Sequence, residues 1–442
     1  MKLILLSGGS GKRLWPLSND CRSKQFLKVF RAPNGEKESM TQRVVRQIEE
    51  SGINAEIIIA TSINQKDILT NQFGNKVEIV TEPMRRDTFP AIALSCAYIA
   101  SEKGCDDDEI VVVLPSDQYT DAGYFETIKN MASMVENNKL DLVLMGIEPE
   151  SPSSNFGYIL PSKSDNPILT ASRFVEKPDT AIAETLIREG GLWNGGVFAF
   201  RLGYVTDIIK NYLPKSDFQE VYDNYLSLPK ISFDYEVVEK AQSIGISKFK
   251  GLWKDLGSWD ALAPYIETSQ ENSLLANCHN TVVANELDIP VVCTGTNDLV
   301  VAASYDGILV TGKNEAGTLK EVVNKINRPA MFEERRWGEF RIIDSTQSDD
   351  ELLSVTKRLS LKAGKSISYH RHNQRKEIWT IVSGKGRLAL DGERFDVGAG
   401  QTFQIQENHF HAIQAVSNLE IIEVQLGKHL SEDDVDRRDW EW

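Results

Sequence analysis

From the start of the chain to about residue 265, short apolar runs rich in isoleucine and valine alternate with longer segments of helical spacing. LILLS (3–7), EIIIAT (56–61), VEIVT (77–81), IVVVLPS (110–116) and LVLMGI (142–147) read as buried strands, whereas 40–50 and 90–103 carry a helical period. That rhythm predicts a parallel sheet with crossover helices. Between about 275 and 328 the pattern shortens to TVVAN, PVVCTG, DLVVAAS and GILVTG with turns between them, which predicts a module of small stacked strands. From about 332 the runs VTKRLSLKAG, ISYHRH, IWTIVSG, GRLALDG, TFQIQ and LEIIEVQLG follow closely, bounded by glycine turns, as in a small barrel or jelly roll. The segment from Ser431 is rich in acids and arginine without apolar periodicity, so it is expected at the surface or loosely ordered.

Three patterns in 442 residues fit two or three domains, each long enough to bury a core. Hydrophobic residues at 41% and charged residues at 26% are globular values, and no window approaches the roughly 20 apolar residues of a membrane helix, so no membrane partner is expected. The opening MKLILLSGG runs into a glycine turn and lacks the length and cleavage site of a signal peptide; it reads as a buried strand. Five scattered cysteines without CxxC spacing indicate neither a disulfide framework nor a thiolate zinc site, and a reducing cytoplasm fits them best. A net charge of −15 opposes nucleic-acid binding and leaves any phosphate site to a local cluster of donors.

One such cluster follows the first run. In Ser7-Gly8-Gly9-Ser10-Gly11-Lys12-Arg13-Leu14, three glycines let backbone amides approach an anion, and two cations add charge-assisted bonds to phosphate. The spacing is neither the Walker lysine loop nor GxGxxG, and by itself also fits a structural strand-to-helix turn. Asp117 follows a very apolar strand at the end where open α/β sheets place ligands, although an aspartate there also suits a helix N-cap. Asp255 lies in WKDLGSW, a position that also suits a turn.

Together, GGSGKRLWPLS, SKQFL (23–27), EPMRRDTFPAIALS (82–95), VLPSDQY (113–119), FGYI (156–159), FVEKP (174–178), WNGGVFAF (193–200), FDYEVVEK (233–240) and WKDLGSWDAL (253–262) resemble the ordered motifs of the nucleoside-diphosphate-sugar pyrophosphorylases, specifically mannose-1-phosphate guanylyltransferases. The family usually has proline before the lysine of KQFL; Ser23 stands there, which alters loop rigidity more than chemistry. The resemblance implies attack by a sugar 1-phosphate oxygen on the α-phosphorus of GTP, with magnesium and without a covalent enzyme intermediate. It implies that Arg13 holds the leaving pyrophosphate, Lys24 stabilises the reacting phosphates, and Asp117 with Asp255 binds magnesium, whose hard character suits carboxylates. Gly8, Gly9, Gly11, Lys12, Arg86 and Asp87 would meet the nucleotide. Gly157, Glu176, Lys177 and Asn194 would meet the sugar phosphate, Lys177 at the phosphate and Glu176 at a hydroxyl.

Five of the six histidines fall at or after His370. Gly364-x5-His370-x-His372-x4-Glu377-x6-Gly384 matches the first cupin motif, while Gly400-x5-Gln406-x-Asn408-x2-His411 keeps only the glycine and histidine of the second. Alternation along a strand would aim His370 and His372 into a barrel, with Glu377 from the next strand and His411 later. Two or three imidazoles and a carboxylate suit zinc, iron, manganese or nickel. RRWGEF (335–340), VTKRLSLKAGKS (355–366) and LEIIEVQLGKHLSEDD (419–434) resemble the phosphomannose isomerase domain fused to many bacterial guanylyltransferases, whose histidine pair generally lies two positions nearer Glu-x-Trp, where this chain has Asn373 and Gln374.

The expectation is a Rossmann-like α/β nucleotidyltransferase domain with a mixed, mainly parallel sheet (1–268), a β-helix-like connecting module (269–330) and a C-terminal cupin β-barrel (331–442). GTP and a sugar 1-phosphate are the expected substrates, and a homo-oligomer is compatible with the sequence. Another base or sugar would keep the same fold. A regulatory homologue is disfavoured, because Arg13, Lys24, Asp117 and Asp255 are all intact.

Overall fold

The computed structural model describes residues 1–8, 11–19, 21–163, 168–268, 272–326, 328–348 and 351–442. Two compact units form: Met1–Ser10 with Ser23–Glu267, and Gly11–Arg22 with Thr268–Trp442.

In the first unit the apolar runs become a nine-stranded mixed sheet. Its order is Ala171–Val175, Tyr158–Pro161, Leu192–Arg201, Ile110–Pro115, Lys2–Ser7, Glu56–Ser62 and Glu78–Glu82, with Leu142–Ile147 beside Leu192–Arg201 and Ile244–Phe249 outside it. The half from Ile110–Pro115 to Glu78–Glu82 is parallel, as the strand–helix rhythm requires. Leu192–Arg201 runs antiparallel to its neighbours, so the other half turns back on itself. Two apolar layers cover the faces. Phe26, Val45, Tyr124 and Ile128 pack on one, Phe89, Ile92, Cys96 and Phe233 on the other. Helix Met40–Glu50 begins with a capping box between Ser39 and Gln42, which satisfies otherwise orphaned amides at its first turn.

In the second unit, Ser273–Ala276 pairs in parallel with Val291–Thr294, and Val282–Asn285 with Leu299–Ser304, so the chain coils back in register on itself. The later strands form two antiparallel sheets. One has six strands: Phe332–Arg335, Gly338–Gln347, Leu353–Leu361, Leu419–Gly427, Lys376–Ser383 and Thr402–Ile405. The other has five: Glu393–Gly398, Lys385–Leu390, His411–Ala415, His370–Arg371 and Asp436–Arg437. Trp379, Ile381, Leu388, Ile413 and Ile421 fill the space between them. The acidic tail is ordered: Asp436–Arg437 adds an edge strand beside His370–Arg371, and Trp440 stacks 4.5 Å from Tyr369. Hydrogen bonds, ion pairs and a few ring contacts, rather than a buried apolar face, hold it, which is why it shows no apolar period. Among the described residues no helix is long and apolar enough to cross a membrane.

Candidate active site and metal centre

Parallel pairing brings the carboxyl ends of Lys2–Ser7 and Ile110–Pro115 to one edge of the sheet, so Gly8 and Asp117 emerge there together. Asp117 lies in the turn between Ile110–Pro115 and the short strand Gln118–Thr120. The capping role also open to it belongs instead to Asp121, whose carboxylate accepts from Gly123 at the start of helix Ala122–Asn137. Gln118–Thr120 pairs with Trp253–Asp255, with Asp255 opposite Gln118, and this pairing delivers the second aspartate. Lys24 Nζ stands 2.8 Å from Asp117 Oδ2 and 2.9 Å from Asp255 Oδ1. Burial opposes its charge, but the two carboxylates prevail and raise its pKa above the ordinary lysine value, so the ammonium is a fixed cation. A Cβ at Gly257 would lie 3.0 Å from that Nζ, so the glycine turn gives the ammonium its room.

Ser23 supplies by hydrogen bonding what a proline ring would supply by rigidity. Its buried hydroxyl accepts from Gln65 Nε2, and Gln65 accepts in turn from Thr61 at 2.8 Å. Gln25, also buried, donates to Ser7 Oγ at 3.2 Å and ties the lysine turn beneath the first strand.

The proposed sugar-phosphate residues gather in the same unit. Gly157 accepts from the Asn194 amide at 2.8 Å, and a Cβ there would come within 2.5 Å of Glu176 Oε2. That oxygen is buried without a hydrogen-bond partner, while Oε1 meets Lys177 Nζ at 2.7 Å. Lys177 has a φ of 42°, a left-handed conformation that non-glycine residues rarely adopt. Asn194 donates to Asp234 at 2.7 Å, and burial, reinforced by Glu176, pushes the Asp234 carboxyl up to about 7. Phe156, Trp193 and Trp253 pack together with ring centroids 4.8–6.3 Å apart. Each ring lies one or two residues from Gly157, Asn194 or Asp255, so one aromatic cluster sets the spacing of these segments.

Gly8 is exposed, and Gly9 lies outside the described residues. Gly11, Lys12 and Arg13 fall on the 3-10 turn Gly11–Leu14, within the second unit, and Arg13 is exposed. Arg86 and Asp87 have structural engagements. Arg86 donates to the Leu228 carbonyl at 2.9 Å, and Asp87, with φ of 72°, caps helix Thr88–Ser101.

The histidines converge in the jelly roll. His370 and His411 are direct cross-strand partners, and His370 Nε2 lies 3.0 Å from His372 Nε2. Each Nδ1 faces a backbone carbonyl: Ser368 for His370, Asp434 for His372 and His409 for His411. A proton donated there leaves the Nε2 lone pairs facing one another. Burial, together with the neighbouring His411, lowers His370 to about 3, which keeps it a neutral ligand. Glu377 approaches with Oε1 3.2 Å from His372 Nε2 and Oε2 3.3 Å from His411 Nε2, and the latter nitrogen is buried without a hydrogen-bond partner. Converging lone pairs, an orphaned buried nitrogen and a carboxylate fit a divalent transition metal. One geometric expectation changes: the strand ends at Arg371, with His372 just beyond it. Glu377 does come from the next strand, Lys376–Ser383, which lies in the facing sheet because the turn at Asn373–Arg375 crosses between the two.

Sequence reasoning missed four residues here. Asp234 sat inside a quoted motif without a role. Arg375 donates to Glu377 at 3.1 Å and lies 3.1 Å from His372 Nε2, so a guanidinium occupies part of the cation's surroundings. Glu423, held beside Trp379 and Gln425, is pushed above the ordinary carboxylate range by burial and then by Glu377. Asp434, from the tail, accepts from the Asn373 and Gln374 amides at 3.0 and 2.9 Å and so pins the two-residue departure from the usual histidine spacing. Alternation along Leu419–Gly427 was the available signal for Glu423; Asp434 had none.

A cation set between strand-end carboxylates in an α/β sheet, fused to a histidine-lined jelly roll, places the chain in the class of nucleotidyl-transfer proteins bearing a sugar-phosphate-isomerase-type domain. The nucleotidyl transferase family model matches residues 2–272, and that of the mannose-6-phosphate isomerase C-terminal domain matches 325–439. The chain belongs to the nucleotidyl transferase family. It is 28% identical to mannose-1-phosphate guanylyltransferase of Escherichia coli K12, with 98% of this chain and 97% of that one covered. It is 30% identical to xanthan biosynthesis protein XanB of Xanthomonas campestris pv. campestris strain B100, over 98% of this chain and 97% of that one. The crystal structure of mannose-1-phosphate geranyltransferase from Thermus thermophilus is similar with a TM-score of 0.60 at 28% identity, covering 73% of this chain and 98% of that one.

Proposed function

We propose that the chain transfers a guanylyl group from GTP to mannose 1-phosphate, releasing pyrophosphate and forming GDP-mannose. The observation that carries this is the Lys24 ammonium held between Asp117 and Asp255 at the sheet edge where Gly8 emerges. Those carboxylates already surround a cation, and their hard oxygens fit magnesium, which when bound supplies neutralisation of phosphate charge. Lys24 stabilises the phosphates as charge develops at the α-phosphorus, and Arg13, with Gly8, Gly9, Gly11 and Lys12, receives the triphosphate end. Arg86 and Asp87 serve the nucleotide side. Lys177 pairs with the sugar phosphate, Glu176 and Asn194 meet sugar hydroxyls, and Gly157 leaves them room. The transferase is assigned to residues 1–268, the connecting module to 269–330 and the cupin to 331–442.

Purified protein tested with four nucleoside triphosphates and several sugar 1-phosphates for magnesium-dependent pyrophosphate release is expected to need GTP and mannose 1-phosphate together. A strong preference for UTP, CTP or dTTP sinks the guanylyl assignment.

The inward-facing imidazole nitrogens favour a second reading for the cupin. His370, His372, His411 and Glu377 hold zinc, iron, manganese or nickel, and the domain interconverts fructose 6-phosphate and mannose 6-phosphate by moving a proton between adjacent carbons. A coupled assay for mannose 6-phosphate tests it, and metal-loaded protein without turnover refutes the isomerase while sparing the metal site.

A further inference from the structure

The segment Gly11–Arg22 carries Lys12 and Arg13, yet it is built into the unit formed by Thr268–Trp442. At its base the buried Arg22 guanidinium grips Glu286 in a two-bond fork, Nη1 to Oε2 at 2.7 Å and Nη2 to Oε1 at 3.0 Å, across 264 positions of sequence. Asn19 Nδ2 donates to Asp306 at 2.8 Å, and Asn19 Oδ1 accepts the Cys21 and Arg22 amides at 2.9 and 2.7 Å. The second carboxylate oxygen of Asp306 takes the Met331 amide at 2.6 Å, so the aspartate is itself fixed from the C-terminal side. Farther along the segment, Ser304 Oγ donates to the Pro16 carbonyl at 2.5 Å. A Cβ at Gly307 would lie 2.5 Å from Trp15, so that glycine makes the seat for the indole. Helix Leu319–Val323 packs on the turn Gly11–Leu14.

A glycine-rich anion loop loses much conformational freedom when it takes up its ligand, and bonds that order it beforehand lower that cost. Here those bonds come from the connecting module. We propose that Arg22 with Glu286, and Asn19 with Asp306, are positioning residues for the transferase, holding the Lys12–Arg13 turn ready for the triphosphate. This rests on the transferase reading. None of the four touches substrate; they act through the turn.

Full-length wild type, Glu286→Gln, Asn19→Ala and the exchanged pair Arg22→Glu/Glu286→Arg are compared by hydrogen exchange over residues 8–22 and by steady-state kinetics, with cupin metal content as the fold control. Glu286→Gln is expected to speed exchange in that segment and lower kcat about tenfold, while KM for mannose 1-phosphate stays within about twofold and metal content is unchanged. The exchanged pair is expected to recover part of both. Asn19→Ala, which keeps the buried ion pair, is expected to act in the same direction more weakly and serves if Glu286→Gln does not fold. An active wild type with both single variants unaltered in exchange and kcat overturns the proposal. So does a folded exchanged pair that recovers nothing. A wild type that releases no pyrophosphate from any nucleotide overturns the transferase reading as well.

Discussion

In the nucleotidyl-transfer sheet, Asp117 and Asp255 face a lysine ammonium and keep 20% and 40% of their side-chain surface in solvent. In the jelly roll, His370, His372 and His411 are 8%, 3% and 1% exposed, and backbone carbonyls orient each ring. The open site carries its own cation and suits a metal that arrives with substrate. The closed one aims imidazole nitrogens and a buried carboxylate inward, which suits a bound metal ion. The two candidate sites thus differ in access, one partly open to solvent and one buried.

The harshest way to break this contrast is the double variant His370→Ala/His372→Ala, which removes two of the converging nitrogens. Metal content, read by elemental analysis of protein purified without a histidine tag, is expected to fall below about one tenth of wild type. Equal content in both proteins would refute the buried site. Lys24→Ala probes the open site and is expected to cut turnover by about a hundredfold, because a fixed charge at the reacting phosphates is lost. Manganese binding to the nucleotide-free transferase site should not weaken in that variant, since its two carboxylates lose a competing cation. Wild-type turnover in Lys24→Ala would remove the lysine from the chemistry.

Asp434→Ala sharpens the comparison by loosening the buried site without touching a ligand. It removes the carboxylate that clasps Asn373 and Gln374, and metal affinity measured by competition with a chelator is expected to drop about tenfold. An unchanged affinity would mean that the strand pairing of the tail suffices.

The smallest effect concerns pH. Because the folded protein holds the Asp234 proton up to about 7, the stability this group contributes is complete below about pH 4, its ordinary range, and is lost as pH rises toward neutrality. Asp234→Asn cannot ionise, so its stability relative to wild type should rise between pH 4 and pH 8. Denaturant unfolding at both values reads this difference. Parallel profiles would show that Asp234 titrates as an ordinary carboxyl.

Local patterns carried the strands Lys2–Ser7, Ile110–Pro115 and Leu142–Ile147 and the helices Met40–Glu50 and Thr88–Ser101, because burial imposes a period on the residues that make it. The family resemblance singled out Lys24, Asp117 and Asp255, whose carboxylates both stand within hydrogen-bond distance of the lysine ammonium, and the cupin spacing singled out His370, His372, Glu377 and His411, which the structure brings together. What remained hidden depends on pairing between distant segments. Nothing local to Arg22 announces Glu286, and nothing local to Asp434 announces His372. Such contacts use one polar side chain or one peptide oxygen, and a single group has no period. The antiparallel reversal at Leu192–Arg201 was obscured for a related reason: its two glycines interrupt the apolar run, and the pairing with Leu142–Ile147 shifts register between Asn194 and Phe198.

The carbonyl of Asp434 that orients the His372 ring lies beyond all the strands of the six-stranded sheet in chain order. The four candidate ligands His370, His372, Glu377 and His411 therefore precede in the chain the group that orients one of them, so a chain cut before Asp434 would keep every ligand and lose that orienting carbonyl together with the edge strand Asp436–Arg437.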